Sequence, residues 1–289
     1  MKIEFIYLKH YDLIFHVMAY FKVNNASDLY DEDYIAEMTK EKAGFDYDVA
    51  PAVGSIQEYY NDNFERLVLI NFLPYYCSNY DEMKNSFLMC DRFTEDDLKY
   101  FIKPFTEMLD NESVFFFEYW DKLDRISKPS KNLTEYFFEK ELEKYRHVFS
   151  YFNKPCKVLF SYNIARNGRG FYSDTHFAAL VRFPKNEADA ALSFIQLLHE
   201  YTHSFTDNLL NKNITMSDDT HNLSENLVIV ADYFLIKAID ESFIPTYFEW
   251  IKNGRGEDLG EEKFLEIFNI GDNLKSDLMS LLSNILSSR

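Results

Sequence analysis

Glycine and proline are scarce. Eight Gly and seven Pro in 289 residues leave few tight turns, which argues against a turn-rich all-β architecture and for helices. Cysteine is scarcer still. Cys77, Cys90 and Cys156 are odd in number, scattered and without CxxC spacing, so they make no disulfide framework and suit a reducing compartment. A cytoplasmic protein is expected. Positive charge is in deficit, with 30 Lys and Arg against 48 Asp and Glu and a formal net charge of −18. Such a field repels phosphate backbones and anionic lipid surfaces, so neither nucleic acid nor membrane is an expected partner. It serves solubility, and attraction of basic substrates is the remaining reading. Long apolar runs are missing as well. The N-terminal stretch is interrupted by Glu4, Lys9, His10, Asp12 and His16, and no small-residue cleavage site follows, so neither a signal peptide nor a membrane span is expected.

What is abundant is aromatic. The chain has 28 Phe and 21 Tyr, which predicts a ring-rich core, and it is long enough for one large domain or two modest ones. Lys2–Tyr7 alternates, with Ile3, Phe5 and Tyr7 on one face, and reads as a strand. Helices are expected at Tyr11–Lys22, Asp31–Lys42, Ser55–Phe72, Glu95–Leu109 and Leu133–Phe149. Asp28, Asp31, Thr94 and Asn132 stand where N-caps belong. Residues 1–150 therefore read as a mostly helical half.

The texture changes at Asn153-Lys154-Pro155. Lys157–Tyr162 reads as a strand, Asn167-Gly168-Arg169-Gly170 as a turn, and Tyr172–Phe183 as one longer strand stopped by Pro184. A helix is expected over Glu187–Leu210, with Ala188, Ala191, Leu192, Ile195 and Leu198 as its apolar stripe. A polar loop, Asn211–Asn222, leads to another helix, Leu223–Ile239. After a break at Asn253-Gly254-Arg255-Gly256, amphipathic helix resumes. The fold class is α+β, predominantly helical, with a small sheet in residues 151–289.

The chemistry lies in His199-Glu200-Tyr201-Thr202-His203. Residues four apart share a helix face, so His199 and His203 can present two imidazoles to one zinc ion. Glu200 borders that site and can take a proton from a zinc-bound water. Zinc acts there as Lewis acid and as generator of the nucleophile. The bland alternative is two histidines satisfied by ordinary hydrogen bonds. Catalytic zinc sites commonly use three protein ligands. Glu225, on the next expected helix, is the leading third ligand, ahead of Asp207, His221 and Cys156. Glu225 also fits a capping box with Asn222 as N-cap, and the two roles can coexist.

HExxH, a polar loop and then Ser224-Glu225-Asn226-Leu227 at the start of a helix resemble the gluzincin group of zinc metallopeptidases, over residues 157–240. The resemblance implies a zincin-like catalytic core in residues 151–289. It implies Zn2+ held by His199, His203 and Glu225, with Glu200 as general base. A peptide or protein is the implied substrate. Thermolysin-like members carry an Asp four residues after the Glu ligand. Here that position is Ile229, and Asp232 follows at the next turn. Asp232 is positioned to orient a ligand histidine from behind, or it is a hydrogen-bonded structural acid. The departure leaves the subfamily unassigned and keeps open a non-catalytic binding protein on the same scaffold.

Zincins commonly line their cleft with an edge strand that pairs with extended substrate. Tyr172–Phe183, with Tyr172 and His176, takes that place by the same resemblance. Tyr172, His176 and His221 are the candidate donors to the transition-state oxyanion, and His221 is grouped with Glu200 as catalytic. His10, His16 and His147 lack partner spacing and read as structural. A deformylase-like amidase is the other enzymatic reading, because peptide deformylases also use HExxH with an upstream Cys ligand. However, Lys154-Pro155-Cys156-Lys157 lacks the Gly-Cys-Leu pattern of that family.

Overall fold

The computed structural model describes residues 2–23, 32–44, 53–164, 168–213, 220–255 and 260–287. Helix dominates, joined by one four-stranded mixed sheet, so the fold is predominantly helical α+β. The chain divides into two compact units. One comprises Tyr7–Pro129 with Ser161–Asn167, and the other Met1–Ile6, Ser130–Phe160 and Gly168–Arg289. Among the described residues no helix is long and apolar enough to cross a membrane.

The first unit holds α1 (Lys9–Met18), α2 (Glu32–Gly44), α3 (Gly54–Asp62), α4 (Phe64–Leu67), α5 (Tyr80–Met89), α6 (Glu95–Asp97) and α7 (Lys103–Ile126). Rings fill its core. Phe101 stacks on Phe105 at 5.1 Å, and Phe21 meets Tyr60, Phe101 and Phe105 edge-on. Two buried acids are paired: Asp12 accepts from Trp120 Nε1 at 2.7 Å, and Glu112 takes both His16 Nε2 and Lys42 Nζ at 2.7 Å.

Two expected helices here are corrected. Ser55–Phe72 is not continuous, because α3 stops at Asn63, whose side-chain amide donates to Tyr59 O at 3.0 Å and competes with the helical ladder. The helix expected to end at Leu109 continues to Ile126. Phe105, Leu109, Glu112, Phe116, Tyr119 and Trp120 keep one buried face through a polar-looking interruption. Thr94 does cap its helix, in a reciprocal box with Asp97. Asp28 and Asp31 lie outside the described residues.

In the second unit, β1 (Ile3–Ile6) runs parallel to β2 (Cys156–Ser161), and β3 (Arg169–Tyr172) pairs antiparallel with β4 (Phe177–Arg182). The sheet order is β1-β2-β4-β3. The helices are α8 (Lys128–Lys144), α9 (Arg146–Phe149), α10 (Glu187–Asn213), α11 (Thr220–Ile239), α12 (Ile244–Arg255), α13 (Glu261–Ile267) and α14 (Asp272–Ser287). α8 begins at Lys128, so Asn132 is inside it and caps nothing. Pro129 is tolerated because a first-turn residue has no helical acceptor for an N–H.

The single strand expected over Tyr172–Phe183 is in fact the end of β3, a turn, and β4. Ser173 makes the turn. Its backbone N–H donates to His176 O at 3.1 Å, and its hydroxyl accepts from the N–H groups of His176 at 3.0 Å and Thr175 at 3.3 Å. Arg169 and Gly170 accordingly belong to a strand rather than to a turn. β4 is buried from Phe177 to Val181 as an interior strand, and β3 becomes the sheet edge. α10 packs on β4 and against α11 and α12, burying Phe194, Ile195, Leu198, Tyr201 and Phe205.

Candidate metal centre

Two helices build the centre, and every residue described in it belongs to the second unit. α10 carries His199 and His203 on one face, with ring centroids 5.0 Å apart and planes at 86°. α11 supplies Glu225. One carboxylate oxygen lies 3.4 Å from His199 Nε2, and the other 3.5 Å from His203 Nε2. One ligand atom from each of the three residues lies within 4.8 Å of the others. Ligands on a tetrahedral zinc at about 2.0–2.1 Å stand roughly 3.3–3.4 Å apart. The His–Glu spacings, one to each oxygen of Glu225, are close to that value, and two imidazoles with one carboxylate are a donor set zinc accepts. The residues present therefore fit the ion.

Glu225 does not cap its helix. α11 starts at Thr220, so Asn222 and Glu225 are both inside it, and the capping-box alternative is removed. The earlier start carries Glu225 past the first turn, to the point where its side chain reaches both imidazoles.

Behind each ring stands a second carboxylate. Asp232 is fully buried, with Oδ2 2.9 Å from His199 Nδ1. Its Oδ1 is buried with no hydrogen-bond partner among the described residues. Burial depresses the His199 imidazolium, but hydrogen bonds to Asp232 and Glu225 outweigh that and raise its pKa to about 10. Asp207 Oδ1 lies 3.6 Å from His203 Nδ1 and accepts from Ser224 Oγ at 3.0 Å. Asp207 thus stands at the ring nitrogen opposite the one that meets Glu225.

Glu200 turns toward the strand. Its carboxylate lies against Gly168 and Gly170. Burial pushes its pKa up, against the lowering effect of His199, His203 and Arg169. The Tyr172 hydroxyl donates to Glu200 O at 2.7 Å. Although the residue is 47% exposed, desolvation of the phenol and then the charges of Glu200, Asp207 and Glu225 hold it protonated well above the usual tyrosine range.

The other expected residues fall elsewhere or out of view. His176 sits in the β3–β4 turn, its Nδ1 2.9 Å from Thr175 Oγ1 and 3.2 Å from Ser173 Oγ. His221 is in the first turn of α11, and its side chain lies outside the described residues. Cys156 is buried at the start of β2, where burial pushes its thiol to about 12. It is not in the cluster with the two histidines. His10 Nε2 lies 3.3 Å from Pro74 O, and His16 is held by Glu112.

Two contributors escaped the sequence. Trp250 of α12 lies with its ring 5.0 Å from that of His199 and stacks on Tyr247, a tertiary contact no local pattern announces. Gly168 and Gly170 read as turn residues, although their spacing to Tyr172 is that of one strand face.

Comparison with known proteins gives no match: no family model, no curated protein and no solved structure is similar to this chain.

Proposed function

We propose that this chain is a zinc-dependent hydrolase of peptide bonds, acting on peptide or protein substrates in the cytoplasm. The observation that carries this reading is the convergence of His199, His203 and Glu225, with Glu225 oxygens 3.4 and 3.5 Å from the two Nε2 atoms. Zinc, when bound by these three residues, supplies a Lewis acid and makes water nucleophilic at neutral pH.

The chain's own groups do the rest. Asp232 accepts from His199 Nδ1, which fixes the ring and leaves Nε2 for the ion. Glu200, adjacent to the ligands but turned to β3, accepts the proton of the attacking water. As the C–N bond breaks, it returns that proton to the leaving nitrogen. Burial raises its pKa, the direction that favours a group which must hold and then release a proton. As the sheet edge, β3 gives an extended peptide a strand to pair with. The three free cysteines suit the reducing compartment of the cytoplasmic assignment.

Glu200→Gln tests the proposal. The amide keeps the size but accepts no proton. Zinc content is expected to stay at the wild-type level while hydrolysis of a mixed peptide pool falls by orders of magnitude. Undiminished hydrolysis would exclude Glu200 as the base.

A further inference from the structure

Gly168, Gly170 and Tyr172 alternate along β3 and its approach, so they face one side of the strand. That side meets the Glu200 turn of α10. A Cβ built on Gly170 would lie 3.2 Å from Glu200 Oε2, 3.0 Å from the Tyr172 hydroxyl oxygen and 3.3 Å from Tyr172 Cζ. One built on Gly168 would lie 2.8 Å from Glu200 Cγ, Glu200 Oε1 and Leu180 O. Neither glycine has a positive φ, so neither is required by its backbone conformation. Glycine inside a strand weakens it and marks a close approach. Here the Glu200 side chain approaches both glycines, joined by Leu180 O at Gly168 and by the Tyr172 hydroxyl at Gly170. The third residue of the face closes the arrangement, because the Tyr172 hydroxyl donates to Glu200 O at 2.7 Å and ties the strand to that turn of the helix.

We propose that the Gly168-x-Gly170-x-Tyr172 face of β3 positions Glu200. The two glycines make a slot along which the carboxylate lies, and Tyr172 pins the helix turn that carries it. This rests on the reading of Glu200 as the general base. Gly168 also serves the pairing of β3 with β4, since its Cβ would strike Leu180 O. Gly170 meets only side-chain atoms among its nearest neighbours and is the position that separates the two roles.

Gly170→Ala is expected to leave zinc stoichiometry at the wild-type value. On an internally quenched peptide pool, kcat should fall by on the order of a hundredfold with little change in KM, the signature of a displaced catalytic group. Tyr172→Phe is expected to lower kcat in the same sense with zinc retained. A second measurement needs neither metal nor turnover. In metal-free protein, Gly170→Ala lowers the melting temperature, and in a Glu200→Ala background that loss shrinks, because the carboxylate no longer occupies the slot while the Tyr172 contact remains. Equal losses in both backgrounds, or an undiminished kcat in Gly170→Ala, would overturn the proposal. Wild-type protein that neither holds zinc nor cleaves the pool would remove the hydrolase reading. The melting cycle alone would then decide whether β3 positions Glu200.

Discussion

Asp232 and Asp207 differ in how they hold the imidazoles in front of them. Asp232 is buried and 2.9 Å from His199 Nδ1, whereas Asp207 is 3.6 Å from His203 Nδ1 with a side chain 47% exposed. A buried carboxylate behind a ligand histidine fixes its ring, and its loss typically weakens metal binding about ten- to a hundredfold. Asp232→Asn is therefore expected to lose zinc affinity in that range, and Asp207→Asn much less, in competition with a chromophoric chelator. Equal losses would show that burial does not set their contributions. Trp250 gives the site its own reporter. The chain has two tryptophans, and Trp250 lies 5.0 Å from the His199 ring. Cobalt loading should quench its fluorescence, and Trp250→Phe should abolish the response. At this scale much of the centre was legible: helical spacing alone grouped His199 with His203, the next expected helix offered Glu225, and the resemblance to gluzincins drew attention to Asp232. Trp250 was not, since it arrives from α12 through packing.

Elements were legible where one face is apolar and ambiguous where burial is complete or a cap is hidden. α10 buries Ile195 and Leu198 of its expected stripe, but Ala188 is exposed and Ala191 and Leu192 are half-buried, while Ala190, Ser193, Phe194, Gln196 and Leu197 are buried. β4 is buried along nearly its whole length, so alternation could not separate it from β3, and the Ser173 turn between them resembles ordinary polar strand sequence. α5 is not among the expected helices, yet at its start Asn79 accepts from Glu82 N at 3.0 Å and Glu82 accepts from Ser78 N at 2.7 Å. The spacing of that pair is a start signal of the capping-box kind. The signal at Thr94 is of the same kind, and its box with Asp97 is complete, with Thr94 N donating to Asp97 at 2.8 Å. Thr94→Ala should cost about 1 kcal/mol of stability in denaturant unfolding. A variant as stable as the parent would mean that α6 starts on packing alone.

Across the whole molecule, polar groups buried in the helical unit make stability depend on pH. Burial holds the His16 pKa below its ordinary value, against the opposing pull of Glu112. In the unfolded chain the same histidine titrates near 6.5. Below that pH the unfolded state takes up a proton that the folded state resists, so the stability is full above 6.5 and is lost as pH falls toward the depressed folded value. Glu112, held below the usual carboxylate range by His16 and Lys42 despite its burial, adds loss in the same direction at lower pH. The net charge of −18 acts the other way. Approaching the pI of about 4.8 relieves self-repulsion. A His16→Gln variant separates the two, since its unfolding free energy should fall less between pH 7 and pH 5 than that of the wild type. An identical slope would remove His16 from the account.

The convergence of His199, His203 and Glu225 from α10 and α11 carries the proposed zinc chemistry, and metal content tests it most directly. Protein purified without added metal or chelator should carry one zinc per chain by elemental analysis, and none after His199→Ala or His203→Ala, because each imidazole supplies one of three bonds. Wild-type protein without zinc, or full zinc in either variant, would contradict the account.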